Sequence, residues 1–453
     1  MDVVGALRSL VSDPERVTDD EAVTEAHGGD ISYHAPRAPD AVVFPASRAE
    51  VEAILRWASE ERVPVVPYGS GTSVEGGVIP VRGGVTIDLS RLDAILEVSP
   101  EDRLARVQAG VRRLRLDGRL REDGLFFPVD PGADASIGGM VATNASGTNA
   151  VRYGTMRVNT LGLEVVLAGG TVVSTGGPAP KSAAGYDLTR LFVGSEGTLG
   201  VITEVLLRVQ PLPEFVVAGR AVFGDLDGAV RTATRLIGGV ALARVELVDE
   251  LTIRAVNAYE GTAYAEGPTL FLEFGGTEPA VRHEVERAER LASGEGCLAF
   301  DVGADEDERA RLWRARHNAA LAVMATAPGK KLMSTDVCVP VSALRNAIDH
   351  ARRVAEAAGL TAAVLGHVGD GNYHTIFMVD PDDAGEVARA EGINAEIVAH
   401  ALAQGGTCTG EHGIGLGKLG YLREERGNAV EIMRAIKRTL DPNGILNPGK
   451  VLD

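Results

Sequence analysis

The apolar positions of this chain fall into two textures. From residue 41 to 69 they read strand, helix, strand. Ala41–Phe44 is a short apolar run, and Val51, Ile54, Leu55 and Ala58 recur at i, i+3, i+4 and i+7, the stripe of an amphipathic helix. Ser47 followed by Glu50 predicts a capping box at its start, and Val63–Val66 predicts a second strand ending at Pro67. Further strands are predicted at Val85–Leu89, Ile95–Val98, Leu104–Val107, Leu163–Leu167, Thr171–Ser174 and Val201–Val209. Near Pro211–Pro213 the texture changes. Beyond it the strand Leu270–Phe274 is interspersed with helical stripes over Arg282–Leu291, Glu306–Ala325, Val341–Ala358 and Asp383–Ala403, the last capped by Gly405. The remainder is loop-rich. The pattern predicts an α+β protein with a domain over 1–213, a second over 214–404 and a C-terminal segment over 405–453.

Composition narrows the function. The 453 residues carry a net charge of −18, which repels nucleic acid and anionic membrane. Three cysteines give no disulfide framework and no zinc-knuckle spacing. Met1–Asp20 has no cationic start followed by an apolar run, and no stretch of about 18 apolar residues is present. The expectation is a cytoplasmic protein without a transmembrane segment; peripheral membrane docking and a homodimer stay open. Glycine is the outlier, at 55 residues.

Those glycines cluster. Pro67-Tyr-Gly-Ser-Gly-Thr-Ser-Val-Glu-Gly-Gly77 follows a strand, as a Rossmann fingerprint would. A Rossmann loop opens a helix, and Val74–Val85, with four glycines, a proline and several β-branched residues, is no helix former. The loop must instead hold phosphates with its own N–H groups, as a nest; a surface hairpin is the bland alternative. A second stretch runs from Asp130 through Met140 and Asn149 to Arg152-Tyr-Gly154, and a third covers Lys181–Leu188 and Gly194–Ile202. Their small, hydroxyl and amide residues suit a segment lying flat against a ring system.

A separate constellation carries chemistry. In Gly366-His-Val-Gly-Asp-Gly-Asn-Tyr-His374, Asp370-Gly371 signals a two-residue hairpin turn that places His367 and His374 opposite each other. Gly405–Gly415 adds Glu411 and His412. His367, His374 and Glu411 suit one divalent metal, Zn, Mn or Fe, with positions left for substrate oxygens. The bland alternative is a pair of hydrogen-bonded core histidines.

The three glycine-rich pieces resemble the flavin domain of the vanillyl-alcohol-oxidase and p-cresol-methylhydroxylase superfamily. The resemblance implies FAD, with Tyr68, Gly69, Ser70, Gly71, Thr72 and Ser73 around its pyrophosphate. It implies that Pro131, Gly132, Asp134, Ser136, Gly139, Asn144, Gly147 and Tyr153 contact the rest of the cofactor, and that Glu196, Gly200 and Ile202 lie on its adenine-proximal side. With the histidine segments, and Leu446-Asn447-Pro-Gly-Lys450 returning to the flavin domain, nearly the whole chain resembles the FAD-linked D-2-hydroxyacid dehydrogenases. In that family the metal ligands fall on His367, His374 and Glu411, the catalytic base on His412 and the carboxylate-binding arginine on Arg316.

The resemblance is strongest to the branch that oxidises D-lactate to pyruvate and passes electrons to a cytochrome; a quinone or flavoprotein acceptor remains open. A D-2-hydroxyglutarate or glycolate dehydrogenase is the alternative. The second-carboxylate residues of the hydroxyglutarate branch fall on Ala320, Ser334 and Ile376, which carry no cation, so a monocarboxylate is expected unless Lys330 or Lys331 reaches in. Two readings of other classes compete. A non-catalytic FAD-binding subunit would not need the His/Glu set, and a metallohydrolase would not need the glycine loops.

Overall fold

The computed structural model describes residues 2–303 and 305–452, and the chain forms two compact units. The first comprises the segment ending at Ser146, Gly154–Leu212 and the segment starting at Glu411; the second comprises Gly147–Tyr153 and Pro213–Gly410.

Besides a two-stranded sheet that pairs Leu125–Phe126 with Gln210–Pro211, the first unit holds two larger sheets. In one, Ala41–Val43, Val85–Asp88 and Val65–Tyr68 run parallel, with Val17–Thr18 antiparallel at one edge. Pro67 sits within its strand, where the missing N–H is tolerated because that strand ends the sheet. The other is antiparallel, in the order Ile95–Ser99, Leu104–Gln108, Val201–Arg208, Thr160–Val166, Val172–Gly176. Between the parallel strands runs the helix Arg48–Glu61, which buries Val51, Ile54, Leu55 and Ala58 as its periodicity predicts. Half of its capping box forms. Ser47 accepts from the Glu50 N–H at 3.3 Å, but the Glu50 carboxylate turns to the Ala46 N–H at 2.8 Å and to Arg16 at 2.7 Å. The C-terminal segment closes this unit: Val65 donates to the Ile445 carbonyl (2.8 Å) and accepts from the Asn447 N–H (2.7 Å).

The second unit is built on an antiparallel sheet in the order Cys297–Gly303, Phe215–Phe223, Thr269–Gly276, Leu242–Val248, Ala363–Gly366, Asn372–Val379, Lys331–Ser334, with Val337–Cys338 also paired to Asn372–Val379. Residues 147–153, expected within the first domain, belong here. Arg152 donates to the Gly275 carbonyl at 2.8 Å, and Arg244 to the Asn149 amide oxygen at 2.7 Å.

Three local readings change. The helix expected over Glu306–Ala325 is two helices, Glu306–His317 and Ala319–Ala325, parted at Asn318. The loop-rich tail contains the helices Leu419–Arg426 and Ala429–Leu440. The turn before Asn372 spans residues 367–371, and the register sets His374 opposite Leu365 rather than His367. Gly371 makes this longer turn possible: its φ is +87°, and a Cβ there would lie 2.0 Å from the Val339 carbonyl oxygen.

Candidate active site

The strand Val65–Tyr68 delivers the first glycine loop into a cavity of about 320 Å³ formed wholly by the first unit. Tyr68, Gly69, Ser70, Gly71, Thr72 and Ser73 all line it. The backbone N–H groups of Ser70 to Ser73 take no protein acceptor among the described residues, as an anion-holding nest requires. The space is close-fitting. A Cβ on Gly69 would lie 2.1 Å from Ser136 Oγ, and one on Gly138 would lie 2.6 Å from the Ala109 Cβ.

The second glycine stretch is not flat throughout. Ser136 caps a short helix, Ile137–Thr143, by accepting from Gly139 N–H at 3.3 Å. Gly138 donates to the Ala109 carbonyl at 2.7 Å, so glycine allows this helix to lie directly on its neighbouring backbone.

Pro131, Ser136, Gly139, Glu196, Gly200, Ile202 and Asn447 also line the cavity, with Glu411 and His412. Five expected cofactor residues do not. Asp134 accepts from Leu114 N–H (2.9 Å), at the start of the helix Arg113–Arg121. Asn144 ends Ile137–Thr143 in the left-handed region and accepts from Arg157 N–H (2.9 Å). Gly132 sits outside the lining, and Gly147 and Tyr153 fall in the second unit.

The cavity wall carries a charged network in which Glu75 and Lys418 are the members that the sequence did not announce. Glu196 holds φ +50°, a strained value for a residue with a side chain. Its carboxylate accepts from the Ile414 (2.7 Å) and Gly415 (2.9 Å) N–H groups, bracing the loop that carries His412. Full burial pushes its pKa up to about 7 even though those two amides oppose the shift. Glu75, also buried, pairs with Lys418 at 2.8 Å and lies 3.8 Å from His412 Nδ1. Burial works to raise its carboxyl, but Lys418 and then His412 outweigh it and hold it below the usual range. The Asn447 amide donates to the Gly77 (3.0 Å) and Glu196 (2.8 Å) carbonyls, clipping the first glycine loop to the third.

The second unit gathers a different set. Arg316, on Glu306–His317, is 6% exposed and donates through Nη2 to Glu246 Oε2 at 2.5 Å; its Nε is buried with no hydrogen-bond partner. The same Glu246 meets His367 Nδ1 at 2.8 and 2.9 Å. Burial works to raise the Glu246 carboxyl, but His367 and Arg316 overcome it and hold it ionised below the usual range. The rings of His367 and His374 stand edge to face with centroids 5.7 Å apart. His374 Nδ1 faces the Thr335 carbonyl at 3.2 Å and Asp336 at 3.8 Å. In both histidines Nδ1 is engaged by an oxygen, and a carboxylate or carbonyl on that nitrogen is the support that an imidazole needs to bind a metal through Nε2. The donor set therefore fits a divalent metal. Glu246 escaped the sequence reading because alternation along Leu242–Val248 groups it with Arg244 and leaves Ala243, Val245 and Leu247 on the other face, so nothing in the pattern marks it as buried.

Comparison with known proteins divides the chain near residue 212, with the second match running on into the C-terminal segment of the first unit. The profile of FAD binding domains matches residues 39–176, and that of FAD linked oxidases, C-terminal domain, matches residues 212–451. A probable mitochondrial D-lactate dehydrogenase of Danio rerio is 47% identical, covering 100% of this chain and 92% of that protein. The mitochondrial D-lactate dehydrogenase [cytochrome] of Arabidopsis thaliana is 44% identical, covering 100% of this chain and 80% of its own length. Among solved structures, p-cresol methylhydroxylase with substrate bound superposes with a TM-score of 0.83 at 19% identity, over 99% of this chain and 96% of the other. The expected fold and family resemblance are borne out. The cytoplasmic placement is overturned: both of these relatives are described as mitochondrial proteins. Compartment is addressed by signals distinct from the folded body, so the body's residues do not encode it.

Proposed function

This chain belongs to the FAD-linked oxidases and is an FAD-dependent oxidoreductase, and from that premise we propose that it oxidises a D-2-hydroxy monocarboxylate, D-lactate before others, to the 2-oxo acid. The observation that carries the reading is Arg316. It is a buried guanidinium with one edge neutralised by Glu246 and its Nε without a partner. An unsatisfied buried donor costs about 1–3 kcal/mol, and a substrate carboxylate would satisfy it. The surroundings favour one carboxylate only. Ile376 is buried with Trp313, Ala315 and Ala319 in an apolar cluster that Ala320 packs against. Lys330 is tied to Glu386 at 2.5 Å, and Lys331 is exposed on its strand, so neither offers a ready partner for a second carboxylate.

FAD, when bound, accepts the C2 hydride, and a divalent metal, when bound, polarises the 2-hydroxyl. The ligands we propose for the metal are His367, His374 and Glu411. Arg316 fixes the carboxylate. His412 takes the hydroxyl proton on Nε2, its Nδ1 side turned to Glu75. The acceptor we propose is a basic redox protein of the cytochrome kind, since a net charge of −18 would steer one to the surface. The test is anaerobic: His412→Ala should keep FAD and lose flavin bleaching by D-lactate. Bleaching at the wild-type rate would refute the base, and full activity in verified metal-free enzyme would remove the metal.

A further inference from the structure

We propose that Glu246 is a positioning residue that sets both the face Arg316 offers to substrate and the tautomer of His367, and that it thereby restricts the site to substrates with one carboxylate; this rests on the reading of Arg316 and His367 given above. Glu246 lies mid-strand in Leu242–Val248, its side chain 1% exposed, opposite Phe271 on the neighbouring strand. One carboxylate there serves two groups from distant parts of the chain, Arg316 and His367.

A purely structural role explains this poorly. A buried ion pair gives little net stability over apolar residues of the same volume, and the rest of the strand is mostly apolar. The geometry accounts for it better. Glu246 takes Nη2, the nitrogen shared by both two-donor edges of the guanidinium, and so leaves the Nε–H of Arg316 as the donor to be met by a ligand. By accepting from Nδ1–H of His367 it keeps the proton off Nε2. A second substrate carboxylate near Arg316 would face the Glu246 charge directly. One residue thus orders both the guanidinium and the imidazole and repels a dicarboxylate.

The test uses FAD-loaded enzyme and the variants Glu246→Gln and Glu246→Asp. For Glu246→Gln we expect an unchanged FAD content, because the flavin cavity belongs to the other unit. We expect Mn²⁺, titrated into chelator-treated enzyme, to bind 10–100-fold more weakly, the range found when a ligand's supporting group is lost. KM for D-lactate should rise at least as much as kcat falls, and the preference for D-lactate over D-2-hydroxyglutarate should narrow. Glu246→Asp, which keeps the charge on a shorter arm, should recover part of each loss, and it carries the test alone if the glutamine variant does not fold. Wild-type KM, Mn²⁺ affinity and discrimination in a folded Glu246→Gln enzyme overturn the proposal. A wild-type enzyme whose flavin no D-2-hydroxy acid bleaches overturns the parent reading and takes this one with it.

Discussion

Replacing Gly371 with alanine should damage the second unit and spare the first. Two costs add. The residue holds φ +87°, and the left-handed region costs a residue with a Cβ about 1–2 kcal/mol. The new Cβ would lie 2.0 Å from the Val339 carbonyl oxygen, far inside contact distance. That oxygen cannot simply retreat, because Val339 also donates to the Gly371 carbonyl at 3.0 Å. Relief of such overpacking costs about 1–3 kcal/mol, so the expected loss is about 2–5 kcal/mol. The chain supplies its own reporters, since its two tryptophans are Trp57 in the first unit and Trp313 in the second. In a Trp57→Phe background, urea unfolding followed by Trp313 fluorescence should shift to lower denaturant. In a Trp313→Phe background the Trp57 transition and the FAD content should stay put, while bleaching by D-lactate slows because the turn bearing His367 is displaced. A Trp313 transition within about 0.5 kcal/mol of wild type, the scatter of an ordinary surface change, would refute the reasoning.

Gly118 offers the opposite case: it lies inside the helix Arg113–Arg121, and the place its Cβ would take has no other atom within 4 Å. Gly118→Ala should therefore stabilise the first unit by about 0.5–1 kcal/mol, read from the Trp57 transition. Glu50 is held at a pKa of about 2, mainly by its bond to Arg16 and against the pull of burial. A depressed carboxylate contributes stability that is present above its ordinary value of 4.5 and lost as pH falls toward 2. Glu50→Gln should cost up to about 3 kcal/mol at pH 7 and almost nothing near pH 2, measured as unfolding midpoints across pH. Glu75 and Lys418 form a buried pair at 2.8 Å. Either Glu75→Gln or Lys418→Met alone should cost about 3–5 kcal/mol by stranding the other charge, and the double variant should cost less than the sum in a mutant cycle.

What the sequence revealed followed from local rules. The first glycine loop was readable because its conformation demands glycine at Gly71 and Gly76, both at positive φ, and because no helix former follows it. The stripe Val51–Ala58 was readable because one helix face meets one core. Where distant residues decide, local reading failed. The two-residue turn at Asp370-Gly371 lengthened because the pairing of Leu365 with His374 fixes the register. Ile137–Thr143 became a helix despite its two glycines because it packs on Ala109. Asp134 and Asn144, which the family resemblance implies as cofactor contacts, accept from the Leu114 and Arg157 N–H groups and do not line the cavity. Glu246 needed partners 70 and 121 residues away before it meant anything.

The parallel bridge between Val65 and Leu446 has a consequence for how the protein is made. The early segments of the flavin-binding unit are followed by the whole second unit, and only the segment after Gly410 completes them. At about 5–20 residues per second of synthesis, those early segments wait on the order of tens of seconds on the ribosome for their last strand and for His412. During that wait the edge at Val65 is open and the glycine loops lack the clip that Asn447 supplies. Biosynthesis therefore runs in a fixed order: the second unit matures first, and lasting capture of the flavin is a late event that waits for Asn447 to emerge.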